Sequence, residues 1–275
     1  MQNILVIIAL AACGNSGGTP DAAHIIDTPV SIDAAIPLDA PTARQGFVTL
    51  AQGTDPTDGT IADASASATF TDGSPFGMMS GSNGPCIAYV DATNAATYSA
   101  GKIDISGANV PVTLTPSGTP AMVHYTNSPT ALPKPLFAAN ASVTFHAAGG
   151  PDLVTFSATV TTPVAVAGFT PPTMLSRAAG YTASWTAGPA GGPGMWLFVA
   201  GKGSGAATSG SLLCKVADTG SYTVAAASLA LLPPGATGGL ILLARVAEAS
   251  AVTVQGPILV GIATTVASGI IPINP

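Results

Sequence analysis

The chain has 275 residues, of which only 7% are Asp, Glu, Lys or Arg, and its formal net charge is −6. Soluble domains average about 25% charged residues, so long surface helices with charged outer faces are excluded as the main element. The seven basic residues are scattered along the chain. No basic stripe could neutralise several phosphates, which excludes nucleic acid as a partner.

The first element is a short apolar run from Ile4 to Ala12. It is long enough for a signal peptide and too short to span a bilayer. The run ends in "LAAC", Leu10 to Cys13, which resembles the lipobox of bacterial lipoproteins. That resemblance implies that residues 1–12 are removed and that Cys13 is acylated on its sulfur and its new amino terminus. The alternative is an ordinary secretory signal with an incidental cysteine.

Residues 13–45 follow as an Asp-, Ala- and Pro-rich segment, for which we predict a disordered tether. Its aspartates recur every six residues, at Asp21, Asp27, Asp33 and Asp39. Six residues are two turns of a polyproline II helix, so the carboxylates would lie along one edge of an extended, self-repelling chain. The segment resembles the tethers of myxobacterial-type lipoproteins. The resemblance implies a lipid-anchored protein of the bacterial outer membrane or cell surface.

The body of the chain is predicted to be all-β, because its polar residues are mainly Ser, Thr and Asn, with 32 Gly and 24 Pro in the whole chain. Short strands separated by turns predict antiparallel β-sandwich modules at residues 46–162 and 163–275. A single undivided sandwich is the alternative. The clearest hairpin is "ASVTFHAAGGPDLVTFSATVTTP", with its turn at Gly-Gly-Pro-Asp. One short helix is expected at Ala227–Leu232.

The second module resembles the immunoglobulin-like modules of secreted bacterial proteins, since Trp185 is followed by Cys214 about thirty residues later. The resemblance implies that Trp185 packs in the core.

The uncharged tail, residues 249–274, raises the question of a transmembrane helix. β-Branched residues alternate with small ones from Ile258 to Val266, and this period of two predicts a strand instead.

Two cysteines remain besides Cys13. In an exported protein, an even number of remaining cysteines predicts a disulfide, here between Cys86 and Cys214. The alternative is two separate buried thiols. Neither cysteine belongs to a C-x-x-C motif, so zinc and dithiol redox motifs are absent from the sequence.

No motif in the sequence predicts catalysis or a cofactor. "GNSGG" (14–18) lacks the strand that a nucleophile elbow needs, and "AGKGSG" (200–205) lacks the glycine spacing of a phosphate loop and is predicted to be a hairpin turn. A weak calcium candidate is the acidic turn of Asp55, Asp58 and Asp63, but it lacks a bidentate acid, and a solvated turn is the favoured alternative. The three histidines are isolated in sequence: His24, His124 and His146.

These observations favour a lipid-anchored cell-envelope protein without catalytic activity. Its β-sandwich modules would make structural, adhesive or binding contacts, and its partners would be the membrane through the lipid and an unidentified protein or glycan. One alternative is an exported hydrolase or carbohydrate-active enzyme, which needs paired acids. Another is an accessory subunit of an envelope complex.

Overall fold

A computed structural model describes residues 44–72, 78–90, 96–203, 210–233 and 236–274. The described ranges form sixteen strands and one four-residue helix, which confirms the predicted all-β class. In chain order the elements are β1 (Arg44–Thr54), β2 (Ile61–Asp72), β3 (Met78–Asn83), β4 (Cys86–Val90), β5 (Ile103–Ser106), β6 (Val112–Thr119), β7 (Met122–Ser128), β8 (Ser142–Ala147), β9 (Phe156–Thr161), β10 (Leu175–Ser176), β11 (Tyr181–Ser184), β12 (Gly194–Gly203), β13 (Gly210–Val216), β14 (Ser221–Val224), α1 (Ala226–Leu229), β15 (Ala236–Thr253) and β16 (Gly256–Asn274).

The strands form one large sheet and two smaller ones. The large sheet has the order β2-β1-β16-β15-β12-β13-β4-β3, with β10 paired to β16. Its pairs are antiparallel except for β1 with β16 and β10 with β16, which are parallel. A five-stranded sheet has the order β7-β6-β5-β8-β9, and β11 pairs with β14. The predicted hairpin of β8 and β9 is confirmed, with Val143 opposite Val160.

The β15–β16 hairpin forms the centre of the large sheet. In β16, Ile258, Val260 and Ile262 pack into a core on one face of the sheet, while Leu259 and Ala263 belong to a smaller cluster on the other face. The predicted strand in the tail is therefore confirmed, because successive side chains point to opposite faces. Among the described residues, no helix has the length and apolar character needed to cross a membrane.

Two hydrophobic cores lie along the same face of the large sheet. In β15, Ile241 and Leu243 contribute to one core, and the partly buried Ala247, Ala249 and Ala251 pack against the other. The five-stranded sheet covers the second core, with β9 running close to β15. The small alanine side chains permit this close approach. The first core is covered by β11, β14 and α1, and Trp185 lies within it as predicted.

The division into residues 46–162 and 163–275 stays a prediction. Each half of the chain contributes side chains to the hydrophobic core of the other half. Ile258, Val260 and Ile262 pack with side chains from the first half. In the opposite direction, Cys86 and Ala88 pack with side chains from the second half. The central sheet is therefore shared by both cores.

The disulfide between Cys86 and Cys214 is present, as predicted. The two residues face each other on the neighbouring strands β4 and β13, and both are fully buried. An immunoglobulin disulfide instead joins two packed sheets. The immunoglobulin-like resemblance accordingly remains a prediction.

Candidate functional site

A buried ionic network lies between the two cores, at the point where Arg245 occupies the β15 position between Leu243 and Ala247. The Arg245 Nε donates to Asp218 Oδ2 at 2.6 Å, and the two side chains are 1% and 7% exposed. The guanidinium also donates to three main-chain carbonyls: those of Val164 and Ala165 through Nη1 at 3.2 and 2.7 Å, and that of Thr186 through Nη2 at 2.9 Å. Buried charges require this kind of full pairing.

The carboxylate of Asp218 is held from two further directions. Trp185 Nε1 donates to Asp218 Oδ1 at 2.6 Å, and the Gly188 main-chain N–H donates to Oδ2 at 3.0 Å. A Cβ at residue 188 would lie 2.4 Å from that same oxygen, so only glycine fits there. Arg245 and Asp218 thereby fix two loops, the one after β9 and the one before β12.

The titration of Asp218 gives a testable pH dependence. Burial alone would raise its pKa, but the hydrogen bonds from Arg245 and Trp185 outweigh burial and hold the pKa below its ordinary value of 3.8. A lowered carboxyl pKa stabilises the folded state above the unfolded-state pKa, and this contribution is lost as the pH falls toward the folded-state pKa. We expect the unfolding free energy of the wild type to drop more steeply below about pH 4 than that of Asp218→Asn. Urea titrations at several pH values measure this, and equal slopes would contradict it.

The two loops form walls of a groove of about 850 Å³, a volume typical of ligand sites. One wall is the end of β9 and the residues after it, from Thr159 to Val164, and the opposite wall is the loop from Pro189 to Gly194. Asn140, Ala217 and residues of β12, β13 and β15 complete the lining, among them Trp196, Lys215 and Glu248.

The charged residues in the groove lining are one lysine and one glutamate, and they pair. Lys215 Nζ donates to Glu248 Oε1 at 3.4 Å and lies 4.0 Å from the centre of the Trp196 ring. Burial raises the pKa of Glu248, while the neighbouring Lys215 lowers it in part. Trp196 is 4% exposed, because Lys215 lies over its ring and its other neighbours are apolar. The lining therefore carries no net charge.

The β9 strand forms an open edge beside this groove. Thr162 donates its main-chain N–H to Ala141 and accepts from Asn140, so its main-chain groups point toward β8. Because orientation alternates along a strand, the N–H and C=O groups of Ser157, Thr159 and Thr161 point away from β8. No residue of the described ranges pairs with β9 on that side.

The opposite edge of the five-stranded sheet is bridged to the large sheet at one end of β7. Thr97 forms bridges to both Thr71 of β2 and Met122 of β7. Its main-chain N–H donates to Ala121, and its hydroxyl donates to the Val123 carbonyl. In the described structure, β7 is thus linked to the large sheet, whereas β9 is left with a free edge.

The residues singled out in the sequence that the structure describes do not line the groove. Cys13, His24, "GNSGG" and the tether up to Ala43 lie outside the described residues, and the disulfide of Cys86 and Cys214 lies within the first core. "AGKGSG" lies partly outside the described residues, but the strands on either side, β12 and β13, form the expected antiparallel pair.

The calcium candidate is not assembled. Asp55 Oδ1 accepts the Thr57 N–H at 2.7 Å, and Asp58 Oδ1 accepts the Thr60 N–H at 2.9 Å. These two carboxylates stabilise the turn between β1 and β2, while Asp63 lies opposite Gly53 in the sheet. Within the described ranges, no three His, Cys, Asp or Glu side chains form a group that could hold a metal ion.

The groove was not predicted from the sequence, since its lining comes from five separate segments of the chain. The available signal was Glu248, the only glutamate of the chain, on a strand otherwise rich in apolar residues.

Comparison with known proteins gives no match: no family model fits the sequence, and neither curated proteins nor solved structures include a significant relative.

Proposed function

We propose that this chain is a lipid-anchored protein of the bacterial cell envelope that makes binding contacts through its β-sheet body without catalysing a reaction. Cys13 carries the acyl chains, and residues from Gly14 to the start of β1 act as a spacer. The spacer would hold the body away from the outer membrane or cell surface. The lipobox-like "LAAC" and the Asp-spaced tether support the anchor.

The observation that carries the non-catalytic function is the composition of the groove. Glycoside hydrolysis needs two carboxyl groups about 5–9.5 Å apart, and the only carboxylate in this lining is Glu248. That carboxylate is paired with Lys215. The lining otherwise consists of apolar residues, glycines, prolines, threonines and Asn140. Such a surface favours the binding of an uncharged ligand over acid–base chemistry.

Hydroxyl groups on the outer face of the five-stranded sheet support contact as the function of the body. Ser142, Ser157, Thr159 and Thr161 are exposed there, and the Thr144 and Thr159 hydroxyls are hydrogen-bonded at 2.9 Å. The nearby charges of Lys102 and Asp104 pair at 3.0 Å. A nearly neutral, hydroxyl-rich face can exchange hydrogen bonds with a partner without a large cost of removing charges from water.

The anchor is tested by replacing Cys13 with serine. We expect the wild type to fractionate with membranes and to require detergent for release. Cys13→Ser should appear in the soluble fraction, because one oxygen in place of the sulfur removes the acylation site. A matched control is Ser16→Ala, a similar small change three residues later, which should leave the protein in the membrane. Membrane retention of Cys13→Ser equal to that of the wild type would contradict the proposal.

A further inference from the structure

The unpaired edge of β9 and the groove beside it identify the class of ligand more closely. An exposed strand edge offers alternating N–H and C=O groups, which match the main chain of another extended polypeptide. Natural proteins usually protect such edges with lysine, proline or a bulge. The β9 sequence, "FSATVT", contains neither residue, and its pairing with β8 runs without a shift of register.

The groove provides room for a strand along this edge. The lining includes Thr159 and Thr161, whose main-chain groups point away from β8, whereas Ser157 at the start of β9 is not part of it. An added strand would place alternate side chains over the hydroxyl-rich outer face and toward the apolar lining formed by residues such as Val164 and Ala247.

Charge restricts the ligand further. Lys215 and Glu248 lie with Trp196 on the face of the large sheet that points away from the five-stranded sheet. The lining on the β9 side therefore carries no charged side chain. A strongly acidic or basic peptide would therefore gain little electrostatic binding free energy at this site. Uncharged segments with small hydroxylated and β-branched residues complement both the outer face and the apolar lining.

We propose that the β9 edge binds an extended, uncharged polypeptide segment, which adds to the five-stranded sheet as a sixth strand. The proposal rests on the non-catalytic binding function above and names the chemistry of its partner. Main-chain hydrogen bonds to Thr159 and Thr161 supply the affinity, and the groove lining supplies the selectivity for uncharged side chains. The Arg245–Asp218 network keeps the two walls of the groove at a fixed separation.

The test is retention of a synthetic octapeptide library on the immobilised full-length protein. The library carries Ser or Thr at odd positions and Ala, Val or Ile at even positions, and mass spectrometry identifies the retained peptides. Thr159→Pro removes one outward N–H and should reduce retention at least tenfold. Proline is tolerated at edge positions whose N–H faces outward. The control is Thr130→Pro, at an exposed position in the loop after β7, and its retention should stay within twofold of the wild type.

Thr161→Pro is the second variant, so that misfolding of one variant does not decide the result, and circular dichroism checks that each variant keeps its strands. The proposal is overturned if the wild type retains no octapeptide, if neither groove variant weakens retention, or if the protein instead retains the neutral hexasaccharide cellohexaose. Recovery of cleaved octapeptides would contradict the proposed non-catalytic function while leaving the peptide site in place. Failure of the Cys13→Ser fractionation would affect the anchor alone.

Discussion

Replacing Arg245 with methionine is expected to lower the free energy of unfolding by about 3–5 kcal/mol, because it leaves Asp218 as a buried charge without its cationic partner. The three carbonyls that the guanidinium contacts would also lose a donor. Methionine keeps much of the aliphatic part of the arginine side chain. The lost free energy of unfolding therefore comes mainly from the removed charge and hydrogen bonds, and less from a cavity. Chemical denaturation followed by tryptophan fluorescence measures the change.

The matched control for this change is Lys102→Met. Lys102 pairs with Asp104 at 3.0 Å, but the two side chains are 55% and 47% exposed, and exposed pairs contribute less than about 1 kcal/mol. The double variant Arg245→Met with Asp218→Asn should be more stable than Arg245→Met alone, because it also removes the unpaired charge. Equal losses for Arg245→Met and Lys102→Met would contradict a stabilising role of the buried network.

Removing the disulfide should destabilise the protein by about 5 kcal/mol in the chain-entropy model. Cys86 and Cys214 are separated by 128 positions in sequence, so the bond closes a long loop and restricts the unfolded chain strongly. The variant with both cysteines replaced by alanine should show this loss in chemical denaturation.

Reduction provides the control for the disulfide prediction. Dithiothreitol added during unfolding should shift the wild type toward the stability of the double alanine variant and should leave that variant unchanged. Since the double variant keeps Cys13, any effect of the reductant on Cys13 would appear in both proteins. A wild type whose unfolding midpoint does not respond to reductant would contradict the prediction.

Local patterns in the sequence predicted much of the fold. The shortage of charged residues excluded long surface helices, the alternation from Ile258 to Val266 indicated a strand, and the Gly-Gly-Pro-Asp turn located the β8–β9 hairpin. The short helix was expected at Ala227–Leu232, and α1 covers Ala226–Leu229. Each of these features depends on neighbouring residues, which is why they can be read from the sequence.

The arrangement of the strands could not be predicted in the same way. The parallel pairing of β1 with β16 joins residues from the two ends of the described chain, such as Gly46 and Ile258. No local pattern specifies that contact. The lone Arg245 on an apolar strand also gave no sign in sequence that Asp218, 27 residues earlier, would be its partner.

The candidate site was the least predictable part. Glu248 and Lys215 lie far apart in sequence, and they meet because β12 lies between β13 and β15 in the sheet. The free edge of β9 follows from the order of the strands, which propensity and periodicity do not determine. The sequence did show that Ser and Thr are among the main polar residues of the body, and the structure places several of them on the outer face of the five-stranded sheet.

The proposed lipid anchor is tested by the mass of the amino-terminal peptide of the mature protein. The protein is extracted from bacterial membranes with detergent and digested, and the amino-terminal fragment is measured by mass spectrometry. We expect a fragment that begins at Cys13 and carries added mass from two or three acyl chains. A fragment that begins at another residue, or one with an unmodified Cys13, would contradict it.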